Sequence, residues 1–260
     1  PSAAFFLELM TSTASGDVAK EAVPAAFVVL LARAAWVPAE IRVDTESSTE
    51  DYCVCLLEHQ AKANHLPGFS VFPGGRIHSM DYAIANGQMG DAKSSLPLAL
   101  RVAATREVFA ETGILLAEPA PPRVLREATR EILRRDGPRT FLDCMVLWDG
   151  GNPNPRLTLC PLEELAIMPS SDAHVAEAHF FISEVPDAEE LTWAQTSTTD
   201  FKASWMKPSE IIHLCRSGKI KMPLPEKFII DTLHQRLSRL DELPVLVSSW
   251  PLIQGRQSSL

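Results

Sequence analysis

The chain has 260 residues, 46% hydrophobic and 22% charged, the balance of a soluble globular protein long enough to bury a sizeable core. A formal net charge of -9 argues against a nucleic-acid scaffold and against binding to anionic membranes, so any phosphate must be met locally, by a metal ion or a few placed Arg and Lys side chains. No run of about eighteen apolar residues occurs, so no membrane-spanning helix is expected.

The chain opens at Pro1 without a methionine, and a native start upstream is expected. Ala25 to Ala35 is a continuous apolar run rich in valine, the pattern of a central strand buried on both faces. Tyr52 to Leu57 reads as the next strand, able to pair with the first as a hairpin. Its Cys53 and Cys55 alternate onto one face. With Cys144, Cys160 and Cys215 they form no C-x-x-C pair, and all five are expected to be reduced, mostly buried thiols of an intracellular protein. Phe69 to Phe72 is a short third strand closed by Pro73, Gly74 and Gly75. Arg76 to Leu96 is polar and lacks a periodic apolar face, so a loop or short helix outside the sheet is expected there.

Pro97 suits the first turn of a helix that Gly113 would stop with a left-handed cap. A short strand at Ile114 to Ala117 and an amphipathic helix at Val124 to Arg135 follow. Further strands are expected at Arg156 to Cys160, Leu165 to Met168, His174 to Ile182 and Phe201 to Trp205. Pro208 opens another helix, and Pro225 the last, as far as about Leu240. With no linker to split it, the chain reads as a single α/β domain over 1–260, a sandwich around a mixed sheet.

Arg101 to Leu116 carries the chemistry. Glu107 and Glu111 lie four residues apart, so their carboxylates share one face of an amphipathic helix. Such a pair costs a few tenths of a kcal/mol in water, and far more where the face is buried and unpartnered. A hard divalent cation removes the cost: magnesium or manganese binds carboxylate oxygens and keeps positions open for substrate phosphates. Arg106 stands beside Glu107 and could orient a carboxylate. Gly74 and Gly75 permit close backbone approach to the same ion. The competing reading is a solvated face on which E-x-x-x-E arose by chance.

FPGG at Phe72 to Gly75, followed by REVFAETGI at Arg106 to Ile114, resembles the Nudix hydrolase box, G-x5-E-x7-R-E-U-x-E-E-x-G-U with U aliphatic. About seventeen extra residues separate the two halves, an insertion at about 76–96 such as marks the peroxisomal coenzyme A diphosphatase-like branch. HLPGFSVFPGG, ALRVAATREVF, HFFI at His179 to Ile182, SWMKPSEII and GKIKMPLPEKFIIDTL are similar to further segments of that branch, so the likeness runs from about Ala25 to about Leu240. The resemblance implies a Nudix-type α/β/α sandwich and a diphosphatase using Mg2+ or Mn2+. It assigns Glu107 and Glu111 to metal and catalysis, with Arg106 in a catalytic role. Gly75 joins the metal site, and Gly74 and Arg76 serve the substrate.

Two positions depart from the box. Ala110 replaces the first of its paired glutamates, which predicts weaker metal binding. Counted back from Arg106, the early glutamate falls on Leu98. A loop acid is the expected compensation, Asp200 first, with Glu189 and Glu190 behind it. His59, His65 and His78 lie near the site without metal-ligand spacing. The partner expected is a small nucleoside diphosphate derivative, coenzyme A or an acyl-coenzyme A by the branch resemblance. Another dinucleotide or a nucleotide sugar is the alternative, as is a catalytically weak binding module on the same fold. The ending Ser258-Ser259-Leu260 is a weak relative of the serine-lysine-leucine address and points to a peroxisome-type organelle, a glycosome in some protists, with the cytoplasm as the alternative.

Overall fold

Val23–Arg33 forms β1, the strand on which the rest of the molecule is assembled. The computed structural model describes residues 22–43, 49–59, 69–89, 95–118, 123–152, 155, 158–169, 175–195, 201–250 and 253–254. On one side β1 runs parallel to β9 (Val175–Glu184). On the other its C-terminal end pairs antiparallel with β3 (Tyr52–His59), Leu31 opposite Val54. Beyond β3 lie β10 (Phe201–Met206) and the two-residue β2 (Arg42–Val43); beyond β9 lie β8 (Glu163–Pro169) and β11 (Ile253–Gln254).

β1 and β3 diverge, and the site is built in the fork. There β4 (Ser70–Val71) pairs with β3, while β5 (Gly74–Arg76) pairs with the N-terminal half of β1, Phe27 opposite Gly74. The segment expected to be only a turn after Phe72 is thus partly a strand. The Val28 N–H donates to the Pro73 carbonyl at 2.8 Å and holds it down. The remaining short strands, β6 (Ala117–Glu118) and β7 (Thr158–Leu159), pair apart from the main sheet.

The central run is continuously apolar because both faces are covered. Ala26, Val28, Leu30 and Ala32 face one way with Cys53 and Cys55, against Ala99, Leu100, Ala103, Ala104 and Val108 of α2 (Ser95–Thr112). Ala25, Phe27, Val29 and Leu31 face the other way. They meet α5 (Pro208–Arg216), α6 (Leu224–Arg236) and α7 (Leu243–Ser249) through Ile211, Ile229, Ile230, Leu233 and Leu246. This is an α/β/α sandwich on a mixed sheet. The polar stretch after Arg76 contains α1 (Ser79–Met89), and the helix expected at Val124 is α3 (Arg123–Asp136).

Four features depart from the sequence reading. The strand expected at Ile114 to Ala117 is reduced to β6, with Ile114 to Leu116 outside any strand. The box helix α2 is not amphipathic in place: every residue from Val102 to Thr112 is buried. Its outer side is closed by α3 and by α4 (Phe141–Trp148), a short helix without a signal of its own. Phe109 meets Trp148 edge to face at 5.3 Å between ring centres. The last expected helix instead stops at Arg236 and α7 follows, since Leu237 turns extended and its carbonyl accepts the Tyr52 hydroxyl at 3.1 Å.

Glu226, in the first turn of α6, is fully buried with no side chain bonded to either carboxylate oxygen. Burial, partly offset by its own backbone amide, pushes this acid up from 4.5 to about 8. A folded-state value above the unfolded one contributes stability that is fully present below about pH 4.5 and is lost as pH rises through about 8. Between those values the fall is about 1.4 kcal/mol per pH unit from this group. Glu226→Gln is therefore expected to flatten the decline of melting temperature between pH 5 and 8.5; parallel curves for the two proteins would show that Glu226 is not buried as a neutral acid.

Candidate active site

Gly74 lies so close to β1 that an added Cβ would fall 2.4 Å from the Ala26 carbonyl oxygen and 2.6 Å from the Phe27 Cα, and its φ of 153° suits glycine alone. That approach aims its N–H at the box helix, where it donates to Glu111 Oε2 at 3.0 Å. The contact between the glycines and the acids is thus an amide donor. Gly75 pairs with Ala26 in the sheet, and Arg76 follows as the last residue of β5.

Glu107 and Glu111 are each 4% exposed, on adjacent turns of α2. The two are partnered differently. Glu107 Oε1 accepts from Arg106 Nη1 at 2.6 Å. Among the described residues Glu111 has only the Gly74 amide as a hydrogen-bond partner, and its Oε1 is buried with none. Burial first, and then the Glu107 charge, push the Glu111 carboxyl well above the usual range. The Cys55 thiol is likewise pushed up by burial and by the Glu111 charge, which sets Glu111 over β3 at the fork.

Arg106 is 1% exposed and fully engaged. Its Nε and Nη2 grip the Asp81 carboxylate at 2.8 Å each, Nη1 reaches Glu107, and Nη2 also donates to the Arg76 carbonyl at 3.2 Å. Burial opposes its charge, but Glu107 and Asp81 outweigh it and hold the guanidinium firmly protonated. Asp81 is the residue sequence reasoning missed. Counting forward from Gly75 finds it: five residues intervene, the G-x5-E spacing with aspartate for glutamate. Counting back from Arg106 gives Leu98 because 24 residues lie between Asp81 and Arg106 where the box pattern has seven. Asp81 also closes the start of α1, its Oδ2 accepting the His78 N–H at 2.8 Å while His78 Nδ1 accepts the Met80 N–H at 3.2 Å. His78 is a cap.

With the fork, the box helix beneath it and the Asp81–Arg106–Glu107 chain in place, the architecture can be compared with known proteins. It is similar to the crystal structure of a NUDIX hydrolase from Alicyclobacillus acidocaldarius, with a TM-score of 0.63, over 90% of this chain and 99% of that chain at 16% identity. The chain has a Nudix fold. No protein-family model matches it, and no curated protein does.

Within this Nudix fold, α3 completes the site from behind. Arg130 donates to the Ala110 carbonyl at 3.2 Å and the Glu111 carbonyl at 2.6 Å, and Arg126 donates to the Gly113 carbonyl at 3.2 Å. Two buried guanidiniums thus satisfy carbonyls in the last turn of α2 and that of Gly113 just beyond it, where the helix dipole is negative. Gly113 has a φ of 82°, the expected left-handed stop. Glu190, an acid expected behind Asp200, pairs through Oε2 with Arg126 and accepts the Leu115 N–H at 3.1 Å, fixing the segment beyond the helix. Ala110 packs in an apolar cluster with Ile84, Phe109, Met145 and Trp148.

Among the described residues, no group of three or more His, Cys, Asp or Glu side chains is arranged to hold a metal ion. Asp200, His65 and the Ser258–Leu260 ending lie outside the described residues, as does the His59 side chain. A cleft of about 720 Å³ lined by Glu163, Glu184, Val185 and Leu243 contains none of the site residues. No helix among the described residues is long and apolar enough to cross a membrane.

Proposed function

We propose that the chain is a metal-dependent hydrolase of the diphosphate bond in nucleoside diphosphate derivatives, with coenzyme A or an acyl-coenzyme A as the first substrate to test. The observation that carries the reading is the Glu111 Oε1, a buried carboxylate oxygen without a hydrogen-bond partner among the described residues, beside the carboxylate of Glu107. An apolar helix–sheet interface tolerates such an atom poorly. A hard cation with oxygen ligands, Mg2+ or Mn2+, is the partner this donor pair fits, with waters and substrate phosphates completing its shell. When bound, it supplies the positive charge that offsets the diphosphate's own.

The chain's residues have separable tasks. The Gly74 amide fixes one oxygen of Glu111 and leaves the other pointing free. Arg106 does the same for Glu107, and Asp81 holds Arg106. A carboxylate of this pair, or an acid outside the box such as Asp200, would take the proton of the attacking water. Gly74 and Arg76, on the strand facing the acids, are the substrate-side residues. Coenzyme A rests on the likeness to the insertion-bearing branch, as does a peroxisome-type location.

The test is hydrolysis of coenzyme A, dinucleotides and nucleotide sugars with Mg2+, Mn2+ or chelator. Turnover that requires metal is expected, and its absence on every substrate with either metal would overturn the reading. The second reading, a binding module with little turnover, is favoured by Ala110 and by the missing third ligand among the described residues. Ala110→Glu separates the two. A third carboxylate three residues from Glu107 and next to Glu111 is expected to lower the melting temperature in chelator. Magnesium should restore it and half-saturate activity at a lower concentration than in the parent. Activity gained only in this variant would make the natural chain a binding module.

A further inference from the structure

The acidic balance of the whole chain hides a local reversal. Between positions 211 and 230 the sole acid is Glu226, and it is fully buried. The same stretch exposes Arg216, Lys219, Lys221 and Lys227, with His213 at its edge. The nearest following acid, Asp231, is half-buried, one turn beyond Lys227. A net charge of -9 is an average, and this surface departs from it.

The apolar residues there are as unusual. Leu224 is 80% exposed and Phe228 is 44% exposed, one turn apart on the same side of α6. Single exposed apolar residues are ordinary, but these two are adjacent and bracketed by Lys221 and Lys227. A leucine so exposed projects from the surface rather than lining a groove. It is presented rigidly, because Pro223 and Pro225 flank it and the turn before it is closed by Gly218 at a φ of 71° and by the Lys219 N–H donating to the Leu214 carbonyl at 3.0 Å. The Lys221 carbonyl accepts the Ser70 N–H at 2.7 Å, which ties the patch to the strand leading into Gly74.

We infer that this patch, Arg216 to Phe228, docks the protein on an anionic lipid surface, with Lys219, Lys221 and Lys227 against the headgroups and Leu224 and Phe228 entering the acyl boundary. Projecting apolar side chains flanked by cations suit a deformable, negatively charged plane; a rigid protein partner would need a matching pocket for each. Cations near such a surface act together and are screened by salt. The expectation that the chain avoids anionic membranes came from total charge, and the folded surface segregates that charge.

The experiment is co-sedimentation of the full chain with phosphatidylcholine vesicles containing either no phosphatidylserine or about 30% of it. Binding is expected only to the anionic vesicles, with loss in about 0.5 M salt. Lys219→Glu with Lys221→Glu, and separately Leu224→Ser with Phe228→Ser, are each expected to weaken it about tenfold or more. Arg135→Glu, on the opposite layer, should leave it unchanged. Equal binding to neutral vesicles, no binding to either kind, or parent-like binding by both double variants overturns the proposal. So does loss, in these variants, of self-association or RNA binding by a chain that ignores vesicles.

Discussion

Glu107→Gln and Glu111→Gln are each expected to reduce metal-dependent diphosphate hydrolysis about a hundredfold or more, while moving stability in opposite directions. Glu111 carries a buried oxygen with no partner and stands beside a second carboxylate. Without metal, its ionised form is a buried charge that the Gly74 amide and Arg106 only partly compensate, and the neutral amide relieves it; a gain of about 1–3 kcal/mol is expected at neutral pH in chelator. The sign follows from the raised carboxyl: its stabilising protonated form is present at low pH and lost as pH rises, so the advantage of glutamine grows with pH. Glu107 instead neutralises a buried arginine at 2.6 Å. Its amide still accepts the hydrogen bond but leaves the guanidinium with one counter-charge fewer, and a loss of about 1–3 kcal/mol is expected. Denaturation in chelator reads the stabilities and initial rates at saturating magnesium read the chemistry. Parent-like turnover in both variants would remove them from the metal site, and destabilisation of both would show that Glu111 has a partner in solution.

Asp81→Ala should be the most damaging single change to the fold of the site. Asp81 is fully buried, grips Arg106 through both oxygens, and caps α1 through the His78 amide. Removing it leaves a guanidinium that is 1% exposed with Glu107 as its remaining carboxylate. Breaking a buried ion pair from one side costs about 3–5 kcal/mol, and loss of the capping carboxylate adds to it. Asp81→Asn keeps the shape and most hydrogen bonds but not the charge, and should fall between. Because Arg106 would then pull on Glu107 alone, both variants should also lose turnover at saturating magnesium. Urea denaturation tests the first claim; an alanine variant within about 0.5 kcal/mol of the parent would mean that Arg106 finds another partner.

How much of this was legible in the sequence depends on how local each cause is. The valine-rich run of β1, the alternation that sets Cys53 and Cys55 on one face, the proline opening α5 and the glycine stopping α2 are dictated by neighbouring residues, and periodicity and turn chemistry reveal them. The one-turn spacing of Glu107 and Glu111 is equally local. The partnership of Asp81 with Arg106 spans 25 residues and rests on the interrupted spacing meeting in space. No local propensity requires Arg126 and Arg130 of α3 to bond the carbonyls at the end of α2, α4 to bury its outer side, or the strands of the fork to close over its inner side and turn a water-facing charge pair into a dehydrated one. The sequence by itself therefore determined the sheet-forming runs, the helix ends and the two acids one turn apart. Only the packing of layers decided that Glu107 is neutralised and Glu111 is not, because a buried charge takes its partners from whatever elements the fold brings beside it.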